Sequence, residues 1–217
     1  GKRSISVRIT EPEVLAAIQK LAAAADIVLA NFRPGMSESL GLDYESVRAM
    51  NPRVIYGENT AYGLEGPMAP LAGMDMALQA LTGLAHMTET GPEPLVNPII
   101  DYAAAMLMAW GVSTALYHRE RTRHGQRLNV ALMHAAMFLE NNQLTHVELL
   151  DSWRGEFVRY LKHAFADGKT WADVIEHRET LLPHKVVRAY YGFHATKDGT
   201  VGVACNARTQ RLKLMSL

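Results

Sequence analysis

The chain has 217 residues, of which 48% are hydrophobic and 20% are charged, a composition that supports a packed core and excludes a disordered tail. Because 22 basic residues balance 22 acidic ones, the chain lacks the excess positive charge of general nucleic-acid binders. The single cysteine, Cys205, excludes an internal disulfide, and no Cys-x-x-Cys or His-Glu-x-x-His spacing offers a zinc site. These features predict a cytoplasmic protein with no metal site and no nucleic-acid partner.

Strand and helix patterns alternate from the start of the chain. Alternating polar and apolar residues over Ser4–Ile9 predict an edge or half-covered strand. Thr10 as N-cap, followed by Pro12 in the first turn, predicts a helix that ends near Ala24. The apolar run within Asp26–Ala30 is typical of a central parallel strand that is covered on both faces.

Two short helices, a strand and a longer helix are predicted next. Ser37–Leu40 and Tyr44–Met50 have helical patterns, and Asp43 is placed to cap the second of them. Val54–Gly57 is a short apolar strand, and a further helix is expected from Met74 to about Leu84.

A long apolar helix is expected to begin at Asp101 and to end near Arg121. Its uncharged run, Tyr102–Tyr117, has sixteen residues, fewer than the roughly 20 that span a bilayer. We therefore interpret it as a buried helix and expect no membrane association. Gln126–Ala131 then predicts a strand, and Met133–Leu150 predicts a helix.

Strands that alternate with helices predict an α/β fold, here a Rossmann-like parallel sheet layered with helices, and we assign it to residues 1–150. Residues 151–189 have weaker patterning, with one short helical stretch near Trp171–Arg178, and are interpreted as a linker or surface extension. Tyr190–Cys205 predicts a hairpin. We take residues 190–217 as the start of a second, smaller domain.

Polar residues directly after an apolar strand are candidates for ligand binding, because open α/β sheets bind ligands beyond the carboxyl ends of their strands. Here Asn31 could donate a hydrogen bond, Phe32 could stack on a planar base, and Arg33 could pair with a phosphate. A plain turn between strand and helix explains the same residues equally well.

Asp101 is the second candidate. A carboxylate at or next to a helix N-terminus is favoured in its ionised form. Held in an apolar wall, it is also a potential nucleophile toward an acyl group. On spacing alone, a purely structural N-cap is the more frequent role for such an aspartate.

Several segments carry a resemblance in combination, although no single one would suffice. They are Lys2–Ile5, Ala25–Gly35, Leu40–Tyr44, Asn51–Tyr56, Ala61–Gly63 with Gly66–Pro67, Gly73–Asp75, Leu81–Gly83 and Arg119–Val130. Together they resemble the family III CoA-transferases, the CaiB/BaiF-like group that includes formyl-CoA transferase and carnitine CoA-transferase. Members of this family are longer at both ends, so the resemblance implies that the chain is a central fragment.

The resemblance implies that coenzyme A is transferred between an acyl-CoA and a free carboxylic acid. In the family, an aspartate forms a mixed anhydride and then an aspartyl-CoA thioester, and the matching position is Asp101. Asn31 and Phe32 fall where the family contacts CoA, and Arg33 lies in the same motif. The resemblance also implies that the full-length protein is an interlocked homodimer.

Two alternatives stay open. The related α-methylacyl-CoA racemases need a proton-carrying histidine where this chain has Met74, whose thioether cannot hold a proton, although Asp75 lies next to it. The chain could instead keep CoA affinity without turnover. A further departure is Ser39, where some transferases carry an arginine toward the CoA phosphates.

Overall fold

The computed structural model describes residues 1–88, 91–148, 151–182 and 189–216. They form two compact units, Gly1–Met87 with Pro92–Thr145, and Thr88–Gly91 with His146–Leu217. The helices are α1 (Pro12–Ala24), α2 (Met36–Ser39), α3 (Tyr44–Met50), α4 (Asp75–Thr82), α5 (Ile99–Thr122), α6 (Leu132–Leu139), α7 (Asn141–Leu144), α8 (Ser152–Ala164), α9 (Trp171–Leu181) and α10 (Arg208–Met215). The strands are β1 (Ile27–Ala30), β2 (Ile55–Thr60), β3 (His86–Thr88), β4 (Gly91–Glu93), β5 (Gln126–Ala131), β6 (Tyr191–Ala195) and β7 (Thr200–Ala204).

The first unit is built on a parallel sheet in the order β1-β2-β5. β1 pairs with β2 from Ile27 opposite Ile55, and β2 pairs with β5 from Ile55 opposite Gln126. The predicted α/β fold with a parallel sheet is therefore confirmed. Because all three strands run in the same direction, their carboxyl ends meet at one edge of the sheet.

Two hydrophobic clusters form the core of this unit. One packs α1 and α3 against β1 and β2, and includes Val47, Val54 and Tyr56. The hydroxyl of Tyr56 donates to the carbonyl of Leu42 at 2.7 Å, and burial raises the pKa of this hydroxyl to about 12. The other cluster joins α4, α5 and α6 beside the carboxyl edge of the sheet. Its buried members are Leu78, Ile100, Ala104, Leu132, Ala135 and Ala136.

Helix α5 differs from the buried helix expected from the sequence. It has 24 residues, and by length and composition alone it could cross a membrane, yet only 17% of its most apolar window is buried. It packs on β2, β5, α4 and α6, but it exposes an apolar stripe of four side chains. They are Tyr102, Met106, Trp110 and Tyr117. The expectation was wrong because a helix that is apolar on every side does not indicate which side is covered.

Some predicted bounds were also wrong near the chain start. Residues 1–8 have no regular secondary structure and are exposed, because alternation alone gives a strand no sheet edge with which to pair. The N-cap of α1 is Glu11, without a side-chain hydrogen bond, so Thr10 does not cap this helix. By contrast, Asp43 caps α3 as predicted, since its carboxylate accepts from the backbone N–H groups of Glu45 and Ser46.

The helix predicted over Met133–Leu150 is broken: α6 ends at Leu139, α7 follows, and residues 149–150 lie outside the described residues. In the second unit, α8 was not predicted, although its aromatic and apolar residues recur at helical spacing. The predicted hairpin is confirmed, with β6 and β7 antiparallel and Ala195 opposite Thr200. Within the predicted linker, residues 183–188 lie outside the described part. The three-part domain assignment stays a prediction.

Candidate active site

The carboxyl edge of the parallel sheet brings two asparagine side chains together. Ala30 pairs with Glu58, so the next residues along the two strands, Asn31 and Asn59, lie side by side. Both line a cavity of about 420 Å³. Asp101, from the first turn of α5, lines the same cavity. The predicted binding residue Asn31 and the predicted catalytic residue Asp101 are therefore brought together.

Asp101 is the third residue of α5, whereas the N-cap is Pro98, so Asp101 is not the helix cap. Burial and, after it, the negative charge of Asp75 raise the pKa of the Asp101 carboxyl. We had expected the helix N-terminus to favour the ionised form. The direction is opposite because burial and the neighbouring Asp75 charge outweigh any stabilisation by the helix N-terminus.

Asp75, the first residue of α4, is buried, and its carboxylate accepts three hydrogen bonds. Its Oδ2 atom accepts from the backbone N–H of Ile100 at 2.8 Å and from that of Asp101 at 3.1 Å. Its Oδ1 atom accepts from Nε2 of Gln79. The Oε1 atom of Gln79 in turn accepts from the backbone N–H of Leu95 at 2.7 Å. Asp75 therefore supplies the cap that Pro98 cannot provide.

Met74 is the N-cap residue of α4, and its side chain is 76% exposed at the wall of the Asp101 cavity. The turn that carries Met74 packs closely against Ala61, since an added Cβ on Gly73 would lie 2.7 Å from Cβ of Ala61. A thioether thus stands where the racemase-like reaction would need a proton carrier.

Phe32 and Arg33 line a different cavity, of about 230 Å³, which shares Asn31, Asn59 and Met74 with the first. Phe32 is half-buried against the α1–α3 core cluster, while Arg33 is exposed. The loop therefore packs on the core as a turn between strand and helix would. It also offers an aromatic ring and a guanidinium beside the Asp101 cavity.

Sequence reasoning missed Asn59. Its Oδ1 atom is buried and accepts no hydrogen bond from any described residue, and the side chain lines three neighbouring cavities. The second of these, of about 330 Å³, also includes Asn31 and Asp101. The strand was expected to end at Gly57, so Asn59 was not assigned to the strand. Polar residues that continue an apolar strand toward the sheet edge were the available signal.

Two further residues named from the sequence are Ser39 and Cys205. Ser39 lies at the end of α2, where its hydroxyl donates to the carbonyl of Met36. Cys205 is a half-buried free thiol. Within the described ranges, no group of three His, Cys, Asp or Glu side chains could hold a metal ion.

The sequence matches the family pattern described as CoA-transferase family III over residues 1–217. The chain belongs to CoA-transferase family III. The predicted resemblance is thereby confirmed, and the relatives are enzymes of the class that we expected. The probable fatty acyl-CoA transferase Rv3272 of Mycobacterium tuberculosis is 37% identical over 147 residues, which are 66% of this chain and 37% of that protein. A succinate–glutarate CoA-transferase of Agrobacterium fabrum is 34% identical over 146 residues, 66% of this chain and 36% of the relative.

Solved structures of family III proteins share the fold. A CaiB/BaiF family protein from Brucella suis has a TM-score of 0.68 and 29% identity, covering 100% of this chain and 52% of that one. A crystal structure of Rv3272 has a TM-score of 0.63 and 37% identity, covering 66% of this chain and 41% of the other. The chain thus spans between about a third and about a half of the relatives that it matches.

Proposed function

We propose that the full-length protein transfers CoA from an acyl-CoA to a free carboxylic acid, with Asp101 as the nucleophile. The observation that carries the proposal is the position of Asp101, at the carboxyl edge of the sheet in a cavity shared with Asn31 and Asn59. Membership of family III supports the class of reaction. The names of relatives such as the succinate–glutarate enzyme describe CoA exchange between acids.

The proposed chemistry has two exchanges at the Asp101 carboxyl. The carboxylate attacks the thioester carbonyl of the donor, the C–S bond breaks, and CoA leaves as a thiolate from a mixed anhydride. The thiolate then attacks the aspartyl carbonyl, which releases the donor acid and forms an aspartyl-CoA thioester. The acceptor carboxylate attacks this thioester and reverses the sequence, so that Asp101 is regenerated and the acceptor leaves as its CoA thioester.

The surroundings of Asp101 suit a nucleophilic carboxylate. Within the described part of the chain, no side chain donates a hydrogen bond to it, and its raised pKa makes the ionised form more basic. The side-chain amides of Asn31 and Asn59 supply N–H donors in the same cavity. Such donors stabilise the negative charge that develops on a thioester carbonyl oxygen during attack.

We assign the CoA nucleotide to the loop that follows β1. In this assignment Phe32 stacks on the adenine ring, Arg33 pairs with phosphate, and Asn31 donates a hydrogen bond to the CoA arm. The location supports the assignment, since these residues line a cavity that adjoins the one containing Asp101. We also expect the full-length protein to be a cytoplasmic homodimer that needs no metal ion.

Racemase-like proton transfer is the weaker alternative for this site. The exposed Met74 side chain cannot hold a proton, and Asp75 is buried with three hydrogen-bond donors that occupy both carboxylate oxygens. The second alternative, CoA binding without turnover, predicts that no covalent adduct forms at Asp101.

Mass spectrometry of the covalent intermediate tests the proposed function. Full-length protein incubated with an acyl-CoA and digested should yield the peptide containing Asp101 with CoA attached, and hydrolysis should remove the adduct. The Asp101→Asn variant should give none. Binding of CoA with no adduct on any peptide would support the non-catalytic alternative.

A further inference from the structure

Helix α5 begins without a cap of its own. The residue at its N-cap position, Pro98, has no side-chain hydrogen bond to the helix, and the first N–H groups of a helix need acceptors from elsewhere. Two of them, those of Ile100 and Asp101, donate to a single carboxylate oxygen of Asp75 from α4. A buried charge from another helix therefore completes the turn that carries the proposed nucleophile.

The arrangement holds Asp101 through its own backbone. The Asp101 N–H lies 3.1 Å from Oδ2 of Asp75, so a shift of the first turn of α5 would break this bond and the 2.8 Å bond from Ile100. Gln79 braces the carboxylate from the next turn of α4 and also binds the backbone of Leu95, another residue of the cavity wall. Hydrogen bonds through Asp75 and Gln79 thus connect α4, the first turn of α5 and Leu95 at the cavity wall.

Asp75 also places a negative charge near the nucleophile. Among the described residues, α4, β2, β5 and α6 pack on α5: α4 carries Asp75, β2 carries Glu58, β5 carries Arg127, and α6 carries His134. Glu58 and Arg127 form an ion pair with each other. The pKa of the Asp101 carboxyl is raised by burial and by the charge of Asp75.

We propose that Asp75 is a positioning residue for the transfer reaction, which fixes the first turn of α5 and places a negative charge beside the Asp101 carboxylate. The inference rests on the proposed function of Asp101. It gives Asp75 a role beyond helix capping, because an uncharged cap would hold the turn but would leave the nucleophile with a different basicity.

The Asp75→Asn variant of the full-length protein tests this role, because asparagine keeps an oxygen acceptor for the N–H groups of α5 and loses the charge. We expect kcat to fall by roughly 10-fold, because without the neighbouring charge the Asp101 carboxylate is less basic and a weaker nucleophile, while KM for the acyl-CoA stays within about threefold. The acidic limb of the rate profile should move to lower pH, since removing the like charge lowers the pKa of Asp101. Asp75→Glu should not produce that shift.

A matched control separates positioning from stability. Asp43→Asn also removes the charge of a capping aspartate, at α3 and outside the described cavities that contain Asp101, so it should lower the melting temperature without moving the pH profile. If Asp75→Asn lowers the melting temperature but leaves kcat and the pH profile as in the wild type, Asp75 is only a structural cap and the proposal is overturned.

A measurement without turnover keeps this result separate from the proposed function. The pKa of the Asp101 carboxyl, followed by carbon NMR on selectively labelled protein, should be lower in Asp75→Asn than in the wild type. An unchanged pKa would overturn the positioning role whether or not the protein transfers CoA. Absence of transfer in the wild type, with the pKa lowered as expected, would instead overturn the function proposed for Asp101.

Discussion

Two aspartates meet at the start of α5 and have opposite roles. Asp75 is buried and accepts hydrogen bonds on both oxygens, whereas Asp101 is exposed to the cavity and donates its backbone N–H to Asp75. The sequence allowed a choice of Asp101 as the reactive group only through the family resemblance, because capping and catalysis both place an aspartate beside a helix N-terminus. Hydrogen bonds between α4 and α5 are long-range and could not be read from spacing.

At the residue scale, Phe32 tests the CoA assignment. Phe32→Ala should weaken CoA binding by about 1–3 kcal/mol, the scale of one lost stack between a base and an aromatic ring. Isothermal titration calorimetry measures the change. Because Phe32 also packs on the core cluster, Phe32→Leu serves as the control: it keeps an apolar side chain, and it should still weaken binding while stability stays close to that of the wild type. Equal affinity for CoA in both variants and the wild type would show that this loop is a plain turn and does not bind the CoA nucleotide.

Met74 tests the reaction type at the same scale. Full-length protein incubated with a 2-methylacyl-CoA in heavy water should incorporate little deuterium at the α-carbon, because the thioether cannot exchange a proton with solvent. Mass spectrometry of the recovered thioester gives the deuterium content. Rapid incorporation that is lost in Asp75→Asn would show that racemase-like chemistry was wrongly set aside.

At the element scale, local signals predicted β5 with the observed bounds and α3 with its cap. The signals failed where long-range packing decides. The alternating pattern of residues 4–9 finds no sheet partner, β2 runs on to Thr60, and α5 leaves a stripe of apolar side chains exposed. Asn59 was missed for the same reason, because its place depends on the pairing of β2 with β1.

The cap of α3 gives a pH-dependent prediction. Burial acts to raise the pKa of Asp43, but hydrogen bonds from Ser46 and Glu45 outweigh it, and the pKa is lowered. Asp43→Ala should reduce the free energy of unfolding by about 1 kcal/mol near neutral pH. A group with a lowered pKa stabilises the fold above its unfolded pKa and loses that contribution as the pH falls through its folded pKa. Urea unfolding of the wild type and the Asp43→Ala variant should therefore be compared at neutral pH and at a pH below the folded pKa of Asp43. The difference in unfolding free energy between the two proteins should be smaller in acid, and an equal difference at both pH values would contradict the prediction.

At the scale of the whole molecule, the chain spans about a third to a half of its relatives. The fold class was predictable because alternating strands and helices with short connections leave few arrangements other than a layered parallel sheet. The exposure of the apolar side chains of α5 was not predictable, since it depends on long-range packing of the sheet and its helices.

The family resemblance predicts a homodimer for the full-length protein. Sedimentation equilibrium should give twice the mass of one chain over a wide range of concentrations, as an interlocked pair does not dissociate readily on dilution. A mass equal to that of one chain would contradict the prediction.

The rate of CoA transfer in the Asp101→Asn variant tests the central claim most directly. Asparagine matches aspartate in size but cannot serve as the carboxylate nucleophile, and Asp101 is not the cap of α5, so the fold should persist. We expect the transfer rate of the full-length variant to fall by several orders of magnitude, with an unchanged circular dichroism spectrum and melting curve. Transfer at a near-normal rate by a folded Asp101→Asn protein would contradict the account.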